Sequence, residues 1–195
     1  MYRLRDLLIA VPALLLLSPL LLLIILGLWL SQGRVFFFQQ RPGRYERPFT
    51  LIKFSTLYDA APGADEYADQ QARLTPLGRH LRRFSLDELP QLLNVIRGDM
   101  SLVGPRPLLM AYLPLYTEAE RRRHEVPPGI TGWAQIHGRN DLPFKTRFQY
   151  DLWYVDHRSL RLDWLILWRT LRQVLIGRGV YADAHTTSPP FDGTN

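Results

Sequence analysis

Cysteine is absent from the 195-residue chain, which excludes a disulfide framework, a thiolate metal site and a cysteine nucleophile. That absence suits a reducing compartment. Lysine is nearly absent too. Only Lys53 and Lys145 occur among 24 lysine and arginine residues, and the rest are arginine. Arginine favours bidentate phosphate recognition and anionic headgroups, but a GC-rich genome gives the same bias, so the net charge of +6 assigns no partner by itself. Internal repeats are lacking, as is any recognisable nucleic-acid-binding signature. Charge is missing altogether from Leu7 to Leu30.

That uncharged run covers 24 residues. As a helix it would extend about 36 Å, enough to cross a hydrocarbon core of about 30 Å. No small-residue cleavage site follows, which argues against a signal peptide. Ser18-Pro19 sits in the middle of the run, where proline removes a helical hydrogen bond. Spanning helices tolerate this if a hydroxyl satisfies the freed carbonyl, and Ser18 could do so. Both flanks are basic, with Arg3 and Arg5 before and Arg34, Arg41 and Arg44 after. Neither side wins the positive-inside comparison. A spanning helix and a re-entrant helix-break-helix both fit the pattern.

The stretch Ser85 to Pro107, SLDELPQLLNVIRGDMSLVGPRP, carries the most chemistry. Asp87 and Glu88 are adjacent acids at the entry to a short amphipathic helix. Ser85 and Glu88 have capping-box spacing, although Pro90 argues for a start near Leu89 with both acids in the entering loop. Asp99 follows beside Gly98, and then Arg106 between two prolines. Carboxylates able to hold a metal or attack phosphorus thus lie near an arginine able to hold a phosphate.

Elsewhere, Val35 to Gln40 and Phe49 to Phe54 predict a strand pair. Thr75-Pro76 predicts the start of a helix over Leu77 to Phe84, while Ala60 to Gly63 marks a loop. Leu108 to Tyr116 and Glu118 to Glu125 read as helical, with Arg121-Arg122-Arg123 as a solvated face or a headgroup contact. Ile130 to Ile136 reads as a short buried strand or turn, and Phe144 to Val155 as a helix. Leu162 to Ile176 is an amphipathic helix that either packs a core or lies in a membrane interface.

Together these residues resemble the bacterial sugar transferase family, the monotopic polyprenyl-phosphate phosphoglycosyl transferases. The resemblance runs from the anchor with Ser18-Pro19 through Gln40-Arg41-Pro42-Gly43, Lys53-Phe54, SLDELPQL, GDMSLVGPRP, PGITGWAQI, GRN and the Leu162-Asp163 helix, over about residues 1 to 180. It looks like the family's minimal form. The composition of Thr186 to Asn195 reads as a disordered tail, set at 181–195. The resemblance implies a mostly helical α+β fold with a re-entrant anchor (1–33) and a cytoplasmic catalytic domain carrying a β-hairpin and interfacial helices (34–180). It implies transfer of sugar-1-phosphate from a UDP-sugar to polyprenol phosphate on the cytoplasmic face of the bacterial inner membrane, initiating glycoconjugate assembly. Membrane lipids are then partners, nucleic acid is not, and a homodimer is left open.

By the same resemblance Asp87 is the nucleophile of a ping-pong cycle, and Mg²⁺ is held through Asp87 with Glu88 as ligand or base. Arg106 and Arg82 face the nucleotide phosphates, with Arg139 and Asn140 as further substrate contacts and Asp99 either a further contact or the closure of a turn beside Gly98. Ser55, His137 and Phe144 depart from the usual family residues. The competing expectation is a membrane-anchored anion-binding module for nucleic acid or acidic lipid, without catalysis.

Overall fold

A computed structural model describes residues 1–59, 72–138, 142–176 and 190–195. The expected loop at Ala60 to Gly63 and the candidates Arg139 and Asn140 lie outside the described residues.

Helix α1 (Tyr2–Gln32) is continuous, in contrast to the break expected at Ser18-Pro19. Pro19 lacks the amide that would bond the Leu15 carbonyl. The Ser18 hydroxyl donates to that same carbonyl at 2.7 Å, so the freed acceptor is satisfied and the helix carries on.

Nor does α1 stand away from the rest of the protein. Asp6, Ala10, Ile24 and Leu28 are buried on it, at spacings that keep one stripe facing inward. Ile9, Ala13 and Leu14 pack on the main core. Leu21, Ile24, Ile25 and Leu28 pack with Phe54 and Leu81 in a second cluster. Leu8, Leu15, Leu22 and Leu26 remain exposed.

The two ends of α1 are also tied down. Arg3 donates to the carbonyls of Val95 and Ile96, and Gln32 Nε2 donates to the Ser55 carbonyl at 2.8 Å. The basic N-terminal flank therefore serves the protein interior. Arg5 is buried and pairs with Asp6 and Asp163. Tyr154 Oη donates to Asp163 Oδ1 at 2.7 Å, and Ser101 Oγ donates to Asp6 Oδ2 at 2.7 Å. Each buried charge in this knot has a counter-charge or a donor, which is what makes its burial tolerable.

Strands β1 (Phe36–Pro42) and β2 (Pro48–Phe54) pair antiparallel, with Phe36 opposite Phe54 and Phe37 opposite Lys53. Helix α2 (Pro76–Arg83) is capped by Thr75, whose Oγ accepts from the Gly78 amide at 2.9 Å. A 3-10 turn (Leu86–Glu88) leads into α3 (Gln91–Arg97), which Gly98 closes at φ 98°.

Strand β3 (Ser101–Val103) lies parallel to β4 (Gly129–Thr131). Between them, Met110–Leu115 is a 3-10 segment rather than the expected α-helix, and α4 (Glu118–Arg121) is followed by a 3-10 turn at Arg122–His124. Short α5 (Trp133–Ile136), α6 (Phe144–His157) and α7 (Leu160–Ile176) complete the order.

Val95, Met100, Val103, Tyr154 and Ile166 form the centre of the core, where α1, α3, β3, α6 and α7 meet. The outer face of α7 exposes Trp164, Trp168, Leu171 and Leu175. One further difference concerns the tail expected to be disordered. Within residues 190–195, Phe191 is only 3% exposed and sits among Tyr116, Phe144 and Phe148.

Candidate active site

Four segments converge on the acid pair. β2 brings Lys53, the end of α2 brings Arg82, the 3-10 turn holds Asp87 and Glu88, and the loop after β3 brings Arg106. The capping box expected of Ser85 and Glu88 is not formed. Ser85 adopts a left-handed conformation at φ 55° and makes no side-chain cap, a geometry that costs a non-glycine residue about 1–2 kcal/mol. Pro90 occupies the N-cap position of α3 without a capping hydrogen bond, and its missing amide is harmless there. Both acids therefore precede the helix.

Glu88 turns to two cations. Its Oε1 accepts from Lys53 Nζ at 2.8 Å and from Arg106 Nη2 at 2.6 Å, and its Oε2 accepts from Arg106 Nη1 at 3.4 Å. Burial alone would raise the Glu88 pKa, but Arg106 and Lys53 prevail and hold it far below the usual carboxylate range. Burial lowers the Lys53 pKa against the opposing pull of Glu88. Glu88 raises the Arg106 pKa.

Asp87 is treated differently. It is buried, and no hydrogen bond or ion pair holds its carboxylate among the described residues. Burial and then the Glu88 charge push its pKa up, while Lys53, Arg82 and Arg106 pull the other way. Two adjacent carboxylates thus have opposed environments, one held as an anion by two cations and one buried with no hydrogen bond or ion pair among the described residues. Such divergence marks a division of roles in catalytic sites.

The backbone of Arg106 is fixed from behind. Arg123 Nη2 donates to the Arg106 carbonyl at 2.8 Å and to Asp151 Oδ2 at 2.7 Å. Gly129 N donates to the Pro105 carbonyl at 2.9 Å, and Gly104 N to the Thr131 carbonyl at 2.9 Å. A Cβ at Gly104 would fall 2.3 Å from the Pro127 carbonyl oxygen, so this approach to β4 requires glycine.

With this site in view, the comparisons decide the family. The bacterial sugar transferase family model matches residues 1–177.

The chain belongs to the bacterial sugar transferase family.

This transferase is similar to a Bacillus subtilis (strain 168) protein named "Uncharacterized sugar transferase EpsL", at 51% identity over 98% of this chain and 96% of that one. It is also similar to a Xanthomonas campestris pv. campestris UDP-glucose:undecaprenyl-phosphate glucose-1-phosphate transferase, at 42% identity over 91% of this chain. An Aeromonas hydrophila UDP-N-acetylgalactosamine-undecaprenyl-phosphate N-acetylgalactosaminephosphotransferase is 40% identical over 89% of this chain. The match covers 39% and 43% of those two longer relatives.

The other expected residues of the transferase divide plainly. Arg82 Nε donates to Thr56 Oγ1 at 2.8 Å, and its charge reaches Asp87. Asp99 serves the turn after α3, where its Oδ2 accepts from Asn94 Nδ2 at 3.2 Å. No contact among the described residues joins it to the acid pair.

The three departures from family residues have local structural roles. Ser55 is buried, and its amide donates to the Val35 carbonyl at 2.8 Å. His137 Nδ1 lies 2.8 Å from the Trp133 carbonyl, and Phe144 is part of the aromatic cluster around Phe191.

Two residues at or behind the site were not singled out as site residues from the sequence. Lys53 was noted only as part of the Lys53-Phe54 motif, although as one of two lysines among so many arginines it stood out. The run Arg121-Arg122-Arg123 reads as a solvated face or a headgroup contact, yet Arg123 is 2% exposed. Its ion pair with Asp151 on α6, with the Arg106 carbonyl and Tyr116 as further partners, explains that burial.

Proposed function

We propose that the chain moves a sugar-1-phosphate from a UDP-sugar to a polyprenol phosphate, giving a polyprenyl-diphospho-sugar and UMP and initiating assembly of a bacterial glycan. The relatives' names supply the substrate class, UDP-sugar and undecaprenyl phosphate. One observation carries the mechanism: among the described residues Asp87 is buried without a hydrogen-bond partner, beside a Glu88 that is locked by Lys53 and Arg106.

In this reading an Asp87 oxygen attacks the β-phosphorus of the donor. The bond from that phosphorus to the bridging oxygen breaks, and UMP leaves with the oxygen. An oxygen of the lipid phosphate then attacks the phosphorus of the acyl phosphate. This breaks the bond to Asp87 and restores the carboxylate. Acyl phosphates remain reactive enough for such a second transfer. Glu88, held ionised, is a poor proton acceptor and acts by fixing Lys53 and Arg106 toward the phosphates. Arg106 and Arg82 neutralise charge that spreads over the equatorial oxygens during transfer.

The donor set also fits Mg²⁺, which needs few protein carboxylates when it shares substrate phosphates and waters. Asp87 offers a free carboxylate oxygen, whereas both Glu88 oxygens are taken. The ion would supply charge neutralisation at the diphosphate.

Attachment of both ends of α1 to one body supports a one-sided anchor, with catalysis on the cytoplasmic face of the inner membrane. The test is isotope exchange. Labelled UMP should enter the UDP-sugar pool with no lipid acceptor present, and an absence of exchange in an enzyme that turns over with lipid would exclude the two-step route.

A further inference from the structure

The last described segment has no part in the reaction as derived so far, yet it is anchored firmly. Phe191 is 3% exposed. Its ring lies 5.1 Å from Phe148, 5.3 Å from Phe144, 5.6 Å from Tyr112 and 5.7 Å from Tyr116, in edge-on, tilted and stacked arrangements. Lys145 Nζ lies over the same ring at 5.5 Å. Asp192 Oδ1 accepts from the amides of Thr194 and Asn195 at 2.8 and 3.2 Å, which gives the segment a turn of its own. A chain end that pays the entropy of ordering must recover it in contacts, and this aromatic socket supplies them.

The walls of the socket lead to the active site. The guanidinium of Arg123 lies 5.7 Å from the Tyr116 ring centre and 5.3 Å from that of Phe148. Arg123 Nη1 also donates to Tyr116 Oη at 3.3 Å. Arg123 in turn donates to the Arg106 carbonyl, and Arg106 grips Glu88 beside Asp87.

We infer that Phe191 is a positioning residue, a C-terminal latch that holds Tyr116 and Phe148 against Arg123 and thereby sets the Pro105-Arg106-Pro107 loop for the donor phosphates. Tyr116 and Phe148 pack edge-on at 5.3 Å, and removing the Phe191 ring leaves a void against one side of both. Packed aromatics relax into such voids, and Arg123 loses the surface that orients it. The loop then samples positions in which Arg106 misses the diphosphate, although Asp87 itself is untouched. The inference rests on the assignment of Arg106 to the donor, and the test separates the two.

Full-length Phe191→Ala and Phe191→Tyr are compared with the unaltered chain by hydrogen exchange and by steady-state kinetics. The latch predicts faster exchange in Phe191→Ala within Leu102–Tyr112 and Tyr116–Val126, with α3 and the β1–β2 hairpin unchanged. It also predicts a KM for the UDP-sugar raised about tenfold, and Phe191→Tyr, which keeps the ring, should restore both. Unchanged exchange in those two segments would overturn the latch. Loosening throughout the molecule would also overturn it, because Phe191 would then be an ordinary core residue. Local loosening with an unaltered donor KM would keep the latch and refute the role given to Arg106.

Discussion

Lys53 Nζ and Glu88 Oε1 lie 2.8 Å apart, joining a hairpin strand to the turn that carries Asp87, across 35 positions of sequence. The pair fixes the charge of Glu88 and, through it, the placement of Arg106. Glu88→Gln should therefore lower the rate of UMP release by about 10²- to 10³-fold, the usual effect of losing one preorganised electrostatic group. Unfolding by urea should show a loss of about 1–3 kcal/mol, because two partly buried cations lose their anion. The sign with pH follows from the lowered pKa. The stabilisation by Glu88 is complete above the ordinary glutamate pKa of about 4.3 and fades as pH falls toward the depressed folded value. The stability gap between the two proteins should narrow in acid.

Asp87 has the opposite sign. Its pKa is raised in the folded state, so the native chain loses stability as pH rises from the ordinary aspartate value, about 3.9, through the folded one. Asp87→Asn should abolish activity and yet be more stable at neutral pH by about 1 kcal/mol, the scale of relieving one strained site. That gain should vanish below about pH 4. Thermal melts across pH check it.

Asp163 anchors the knot beneath α1. Among the described residues Asp163→Asn leaves Arg5 with only Asp6 as a counter-charge, and the expected loss is about 3 kcal/mol. Since the knot joins α1 to α7, proteolysis in detergent should release the N-terminal helix first.

Ser18 satisfies the carbonyl that Pro19 frees. Ser18→Ala should cost about 1 kcal/mol, with a bend developing at that turn. Cysteine-accessibility labelling of engineered sites at residues 14 and 22 would register the changed exposure of α1.

Local chemistry made parts of this architecture legible. Thr75-Pro76 announced α2, the periodic Leu162, Leu165 and Trp168 announced α7, and the aromatic runs announced the hairpin. The acid pair and Arg106 were visible because Pro90 and the flanking prolines constrain the backbone around them.

What stayed hidden depends on partners far away in sequence. The spacing of Ser85 and Glu88 indicated a cap, but the fold offers Glu88 two cations, and an ion pair in a half-buried site outweighs a helix cap. The run of three arginines gives no local sign that Arg123 is buried, because its counter-charge, Asp151, lies 28 positions away. Phe191 looked like part of a disordered end because nothing local requires an aromatic socket. Pro19 signalled a break that Ser18 repairs with one hydrogen bond.

The central claim is that Asp87 becomes covalently attached to the sugar phosphate. The most direct measurement is intact-protein mass spectrometry of the detergent-solubilised chain after incubation with Mg²⁺ and each of a panel of UDP-sugars, without lipid acceptor. The account predicts an added mass of one sugar phosphate with the competent donor, and none in Asp87→Asn. A donor that releases UMP when polyprenol phosphate is supplied, yet leaves the protein mass unchanged without it, would contradict the account.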